Sequence, residues 1–214
     1  FRGVTGVQTC ALPISKPTIF FFDKDRGAEI FVRACGGAYM ALESGQPTGF
    51  NPFQCENTEA NVQFLCGLMK QLGGKAHYSA AEDDDILRAV RAMLDTPMAL
   101  RSISNFQKSL PNTGDDSLYA NIRKWTRGNS LGWVFDNPQD KIDFSGANII
   151  GFDYTDVIEN PQVRDPVIGY LIHRMEELID GRRFIYIMDE FWKILDGEGG
   201  LKEFAKNKQK TIRK

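Results

Sequence analysis

The apolar residues follow two different periods along the chain. Residues 18–22 (TIFFF), 148–152 (NIIGF) and 184–188 (FIYIM) are short, nearly unbroken apolar runs that end in polar turns, as strands buried in a parallel sheet do. Between 57 and 128 the spacing becomes helical. Val62, Leu65, Cys66, Met69 and Leu72 line one helical face. A second stripe, Ile86, Leu87, Val90, Met93 and Leu94, follows Ser79-Ala80-Ala81-Glu82, a capping box in which serine and glutamate satisfy free backbone N–H groups. Leu118, Ile122 and Trp125 predict a third helix, residues 28–34 a short one, and Val163, Val167, Leu171, Met175 and Leu178 the buried face of a long helix over 163–179.

A strand, a long helix and another strand imply parallel strands joined by a crossover, so the two α/β parts are expected to share one sheet. The predicted fold class is α/β, a parallel sheet with an inserted helical subdomain. Residues 16–56 form its first part, 57–128 the helical insertion and 129–214 its second part, with the turn-dense stretch 45–52 (GQPTGFNP) near the first boundary. Residues 1–15 (FRGVTGVQTCALPIS) have no clean period and no charge after Arg2. They read as a non-native tail that looks like translated sequencing adaptor, with an ordinary loop as the alternative.

Composition narrows the class. With 214 residues and 42 % hydrophobic content the chain can bury a sizeable core, and 26 basic against 28 acidic residues give a net charge of −2, so no global basic field draws it to nucleic acid or anionic lipid. The cysteines at 10, 35, 55 and 66 show neither metal-site nor paired spacing, which favours a reducing, cytoplasmic setting. No apolar run approaches the roughly 20 residues of a membrane span.

The sharpest chemical signal is Phe184-Ile185-Tyr186-Ile187-Met188-Asp189-Glu190, an apolar strand ending in two carboxylates, the Walker B pattern. Asp189 at the carboxyl edge of a parallel sheet suits a Mg²⁺ ion held through water, and Glu190 suits the polarisation of an attacking water in phosphoryl transfer. The same pattern also describes a strand that ends in two solvated acids ahead of a helix. No window satisfies G-x-x-x-x-G-K-[ST], the loop whose N–H groups and lysine hold phosphates; Gly73-Gly74-Lys75 is followed by Ala76, and Met69 stands at the first glycine position.

Four segments in order, Phe20 through Gly27 (FFFDKDRG), Thr48 through Phe53 (TGFNPF), Tyr186 through Trp192 (YIMDEFW) and Lys210 through Lys214 (KTIRK), resemble motifs of the type IV secretion and conjugation ATPases of the CagE/TrbE/VirB family. The resemblance spans residues 16–214. It implies a truncated RecA-like P-loop NTPase sheet in which Asp189 handles Mg²⁺ and Glu190 activates water for ATP hydrolysis, with the phosphate-binding loop and a large amino-terminal domain lying upstream. It also implies a hexameric motor that works with other secretion-system subunits on a DNA or protein substrate, in the cytoplasm or peripherally on the inner membrane. Lacking the loop, the segment alone is expected to be inactive. Two rivals stay open: a related hexameric DNA translocase or coupling protein, and a non-catalytic assembly subunit of the same fold.

Asp23, Lys24, Asp25 and Arg26 follow a strand end, which places them near phosphates or an adjoining subunit or, equally well, in a polar turn held by local hydrogen bonds. Lys202, Lys206, Lys210 and Arg213 fall on one helical stripe. Arg213 is the candidate phosphate contact there, against the commoner reading of a solvated charged face. His77 and His173 lack metal-ligand company, and Trp125, Trp133 and Phe135 read as packing rather than as a base-stacking platform.

Overall fold

The computed structural model describes residues 17–144, 146–177 and 184–190. The 1–15 tail, Leu178, Phe191-Trp192, the basic stripe with Arg213, and the KTIRK motif lie outside these residues. The described chain separates into two compact units, one built from the described parts of 1–44, 143–165 and 174–214, the other from 45–142 and 166–173. These limits differ from the boundaries expected at 56/57 and 128/129. The turn-rich connections 45–56 and 129–142 are tied to each other by buried side-chain amides, so both pack with the helices.

The first unit is a sheet of four parallel strands in the order β2-β3-β1-β4. Strand β1 is Thr18–Asp23, β2 Ala38–Ala41, β3 Ile149–Asp153 and β4 Phe184–Met188; helix α1 spans Glu29–Ala34. Strands β3 and β4, expected as consecutive partners, run parallel but are separated by β1, which pairs Phe21 with Gly151 on one side and Ile187 on the other. On one face Ile19, Val32 and Ile149 pack with Phe21, Ala28 and Tyr39. On the other, Phe20 stacks on Phe184 and Tyr186, and Phe22 lies against Phe152 and Tyr154. Burying each such aromatic contributes on the order of 2 kcal/mol or more. Strand β4, expected to be fully buried, is the outer strand among the described residues, with Ile185 and Ile187 37 % and 40 % exposed.

The second unit is helical. It contains α2 (Glu59–Gly73), α3 (Ala80–Asp95), α4 (Ile103–Ser109), α5 (Leu118–Ile122) and α6 (Gly132–Phe135). Helix α2 buries Val62, Leu65, Met69 and Leu72 as its spacing predicts, and the capping box of α3 forms, with Ser79 accepting from the Glu82 amide and Glu82 from that of Ser79. Trp125 is buried and donates to the Leu72 carbonyl. Short helix α7 (Thr155–Ile158) belongs to the first unit, while the long helix α8 (Pro161–Glu176) contributes residues 166–173 to the second.

The TGFNPF motif is part of this unit's scaffold. Asn51 is fully buried; its amide donates to the carbonyls of Arg101 and Asn137 at 2.9 and 2.8 Å, and its oxygen accepts from Phe53 N at 3.2 Å. Asn137 in turn donates to Phe50 O at 2.9 Å. Gly49 turns the chain at φ 77, a left-handed angle open to glycine. His173 bonds Asn61 and stacks on Phe64, a packed rather than a catalytic setting.

Candidate functional site

All four strands are parallel, so their carboxyl ends meet at one edge of the first unit. Asp23 ends β1 directly opposite Asp153 of β3, which also faces Ala41 of β2, and Phe22 stands opposite Met188 of β4. Beyond the last pair the backbone stays joined, Asp189 N donating to Phe22 O at 2.9 Å and Tyr154 N to Asp23 O at 3.1 Å. Ligands of open α/β sheets bind outside such an edge.

The sheet register carries on into side chains. Lys24 and Glu190 each lie two residues past a paired position, and Lys24 Nζ donates to Glu190 Oε1 at 2.8 Å. Both side chains are about a quarter exposed, 23 % and 24 %. Asp189 is exposed; its Oδ1 accepts from Glu190 N at 2.9 Å, and its carbonyl accepts from the Tyr154 hydroxyl. Tyr154 is itself fully buried. Burial first, and then the charges of Asp189, Glu190 and Asp23, push its hydroxyl well above the ordinary tyrosine range, so the hydroxyl stays a proton donor to this edge.

Asp23, Asp25 and Arg26 are engaged within the protein. Asp23 is 6 % exposed, and its carboxylate accepts from Ala28 N at 2.9 Å and from the Tyr39 hydroxyl at 2.5 Å, fixing the start of α1 against β2. Burial and this bond push the Tyr39 hydroxyl far up. Asp25 N donates to Thr155 Oγ1 at 2.7 Å. Arg26 holds Asp153 through Nε at 2.9 Å and Glu43 through a terminal nitrogen at 2.8 Å. Asp153 and Glu43 push the guanidinium higher still.

Backbone geometry singles out the same edge. Among the described residues the non-glycine positions with positive φ are Asp25 at 60, Arg26 at 57 and Glu190 at 47. Left-handed backbone costs a residue with a Cβ about 1–2 kcal/mol and tends to gather where function holds it in place. Sequence reasoning did not find Tyr39, Glu43, Asp153, Tyr154 and Thr155. The acid that closes the apolar run of β3, as acids close β1 and β4, is the signal that marks Asp153. Among the described residues no three His, Cys, Asp or Glu gather as a metal-holding group, Cys35 and Cys66 are free thiols, and no helix is long and apolar enough to cross a membrane.

No family model matches the chain. It is 44 % identical over 201 residues to the type IV secretion system protein virB4 of Bartonella henselae, and 42 % identical over 208 residues to PtlC, a type IV secretion system protein of Bordetella pertussis. Each alignment covers 92 % of this chain and 25 % of the relative, so the chain spans about a quarter of the length of the curated relatives it matches. The fold matches the solved structure of VirB4 from Thermoanaerobacter pseudethanolicus with a TM-score of 0.65 at 15 % identity, covering 92 % of this chain and 83 % of that one. With relatives of this similarity along nearly all of its length, and with the same parallel α/β fold, the chain belongs, as a segment, to the VirB4 family of type IV secretion system proteins.

Proposed function

We propose that this segment supplies the hydrolytic edge of an ATP-driven motor, with Asp189 as the Mg²⁺-handling carboxylate and Glu190 as the group that orients and polarises the attacking water. The observation that carries the reading is the pair of adjacent acids at the carboxyl edge of an all-parallel sheet, with Glu190 held in a left-handed backbone and bonded to Lys24. An enzyme of this class works mainly by positioning and electrostatics, and this edge is fixed by backbone and side-chain bonds to β1 and β3.

The residues fit Mg²⁺. That ion is ordinarily held by one or two carboxylates together with phosphate oxygens and water, so the exposed carboxylate of Asp189 is a sufficient protein ligand without a cage of acids. When bound, the ion supplies charge neutralisation on the phosphate oxygens. Asp189 keeps its place through the bonds of its Oδ1 and carbonyl, and Glu190 accepts a proton from, or orients, water at the same edge. The chain contains no G-x-x-x-x-G-K-[ST] loop, so the isolated segment is expected to bind ATP weakly and not to turn it over. The relatives' place in type IV secretion systems supports a motor that assembles as a homo-oligomer, a hexamer in this reading. Such a motor meets other secretion subunits and a protein or DNA substrate, with at most peripheral membrane contact.

Asp189→Asn in the full-length protein tests the metal assignment. Losing one charge-assisted contact of roughly 1.5 kcal/mol or more raises the Mg²⁺ needed for half-maximal ATP hydrolysis about tenfold or beyond. An unchanged Mg²⁺ dependence would show that Asp189 does not serve the metal.

A further inference from the structure

We propose that Lys24 is the positioning residue for Glu190: its ammonium fixes the carboxylate that orients water, and the 24–26 turn is shaped to hold that ammonium. This rests on the hydrolytic reading of the same edge. Three observations carry it. The register of β1 on β4 brings the two residues side by side, and the Nζ–Oε1 distance is 2.8 Å. Both partners stand in or next to left-handed backbone, Glu190 itself and the Asp25-Arg26 pair that follows Lys24. That turn is in turn clamped by Thr155, Asp153 and Glu43, so the set of Lys24 is tied to the ends of β3 and β2.

Magnitudes separate this from an ordinary surface ion pair. A pair with both side chains about a quarter exposed adds little to stability, whereas each of the three left-handed residues carries a backbone cost. Stability gained from the Lys24–Glu190 bond does not offset that strain. A carboxylate held in one orientation is what the geometry does provide. At the same edge Asp23 accepts from Ala28 N and the Tyr39 hydroxyl, and Arg26 holds Asp153 and Glu43.

The test uses the full-length protein carrying Lys24→Met, Lys24→Arg, Glu190→Gln and the double substitution Lys24→Met/Glu190→Gln, with steady-state ATP hydrolysis and thermal unfolding measured on each. Misplacing a group that acts on water costs about tenfold to a hundredfold in rate. The expected result for Lys24→Met is therefore a kcat lowered by that factor, a KM for MgATP within about twofold of the parent and an unchanged Tm. Lys24→Arg recovers part of kcat, and the double substitution is no slower than Glu190→Gln alone, as for two residues acting through one step. A wild-type kcat in Lys24→Met beside an inactive Glu190→Gln overturns the role of Lys24 and leaves the hydrolytic reading standing. So does a raised KM with unchanged kcat, which would make Lys24 a phosphate contact. Lost turnover tracking a lowered Tm, with Lys24→Arg equally slow, overturns it in favour of a structural pair. Full activity in Glu190→Gln takes down both readings.

Discussion

Asn51→Ala isolates the contribution of the TGFNPF motif. The substitution removes two donated bonds, to Arg101 O and Asn137 O, and one accepted from Phe53 N, all around a side chain with no exposed surface. At about 1 kcal/mol per bond, and with buried carbonyls left unpaired, the loss comes to roughly 3 kcal/mol. For an m-value near 2 kcal/mol/M in urea, that lowers the unfolding midpoint by about 1.5 M. Tryptophan fluorescence is a fitting probe, because Trp125 and Trp133 both belong to the unit that Asn51 braces. Gln54→Ala is the matched control. It too bridges these segments, through Met98 O, Pro138 O and Asp140 N, but at a wetter position where water replaces what is lost, so its cost is expected to stay near 1 kcal/mol or below. Equal midpoints for the two variants would refute the argument that burial, rather than the number of bonds, sets the value of this motif.

Two further perturbations probe the two units separately. A Cβ on Gly151 would come within 2.4 Å of Tyr39 Cδ2 and 3.3 Å of Val32 Cγ2, so Gly151→Ala is expected to cost about 1–3 kcal/mol through overpacking, read as a lowered Tm; no change in Tm would mean that Tyr39 moves freely. Lys75 first, and then the Ser79 amide and hydroxyl, hold the Glu82 carboxyl at about 2, below its ordinary value of 4.5. A folded value below the unfolded one gives stability that is complete above about pH 4.5 and lost as pH falls toward 2. Glu82→Gln should therefore flatten the acid limb of the stability curve between those values; an acid limb identical to the parent's would count against the capping arrangement.

Much of this architecture can be read from local chemistry. The aromatic run of β1, the capping box of α3 and the helical stripe of α2 each carry one dominant pattern, and each forms where that pattern places it. Strand β2 does not announce itself. Ala38–Ala41 is four residues long, partly exposed, and follows Gly36-Gly37, so it has neither the length nor the apolar density of a strand signal; pairing with β3 makes it one. Helix α4, at seven residues, is too short to show a period. The carboxyl edge was legible in part. Asp189 and Glu190 follow an apolar run that any reader would stop at, but the Lys24–Glu190 bond joins positions 166 residues apart and exists only once β1 and β4 are in register. The family motif TGFNPF stood out by resemblance alone, and its buried amide bonds supply the physical reason for it.

In the proposed mechanism Glu190 acts on water at the carboxyl edge of this sheet. Its most direct test is Glu190→Gln in the full-length protein, with ATP binding and single-turnover hydrolysis measured side by side. Gln keeps the size of the side chain and a hydrogen-bonding oxygen but cannot take a proton. The expected result is nucleotide affinity within about twofold of the parent and hydrolysis slower by about 10²–10⁴. Hydrolysis at the parent's rate with nucleotide bound would contradict it.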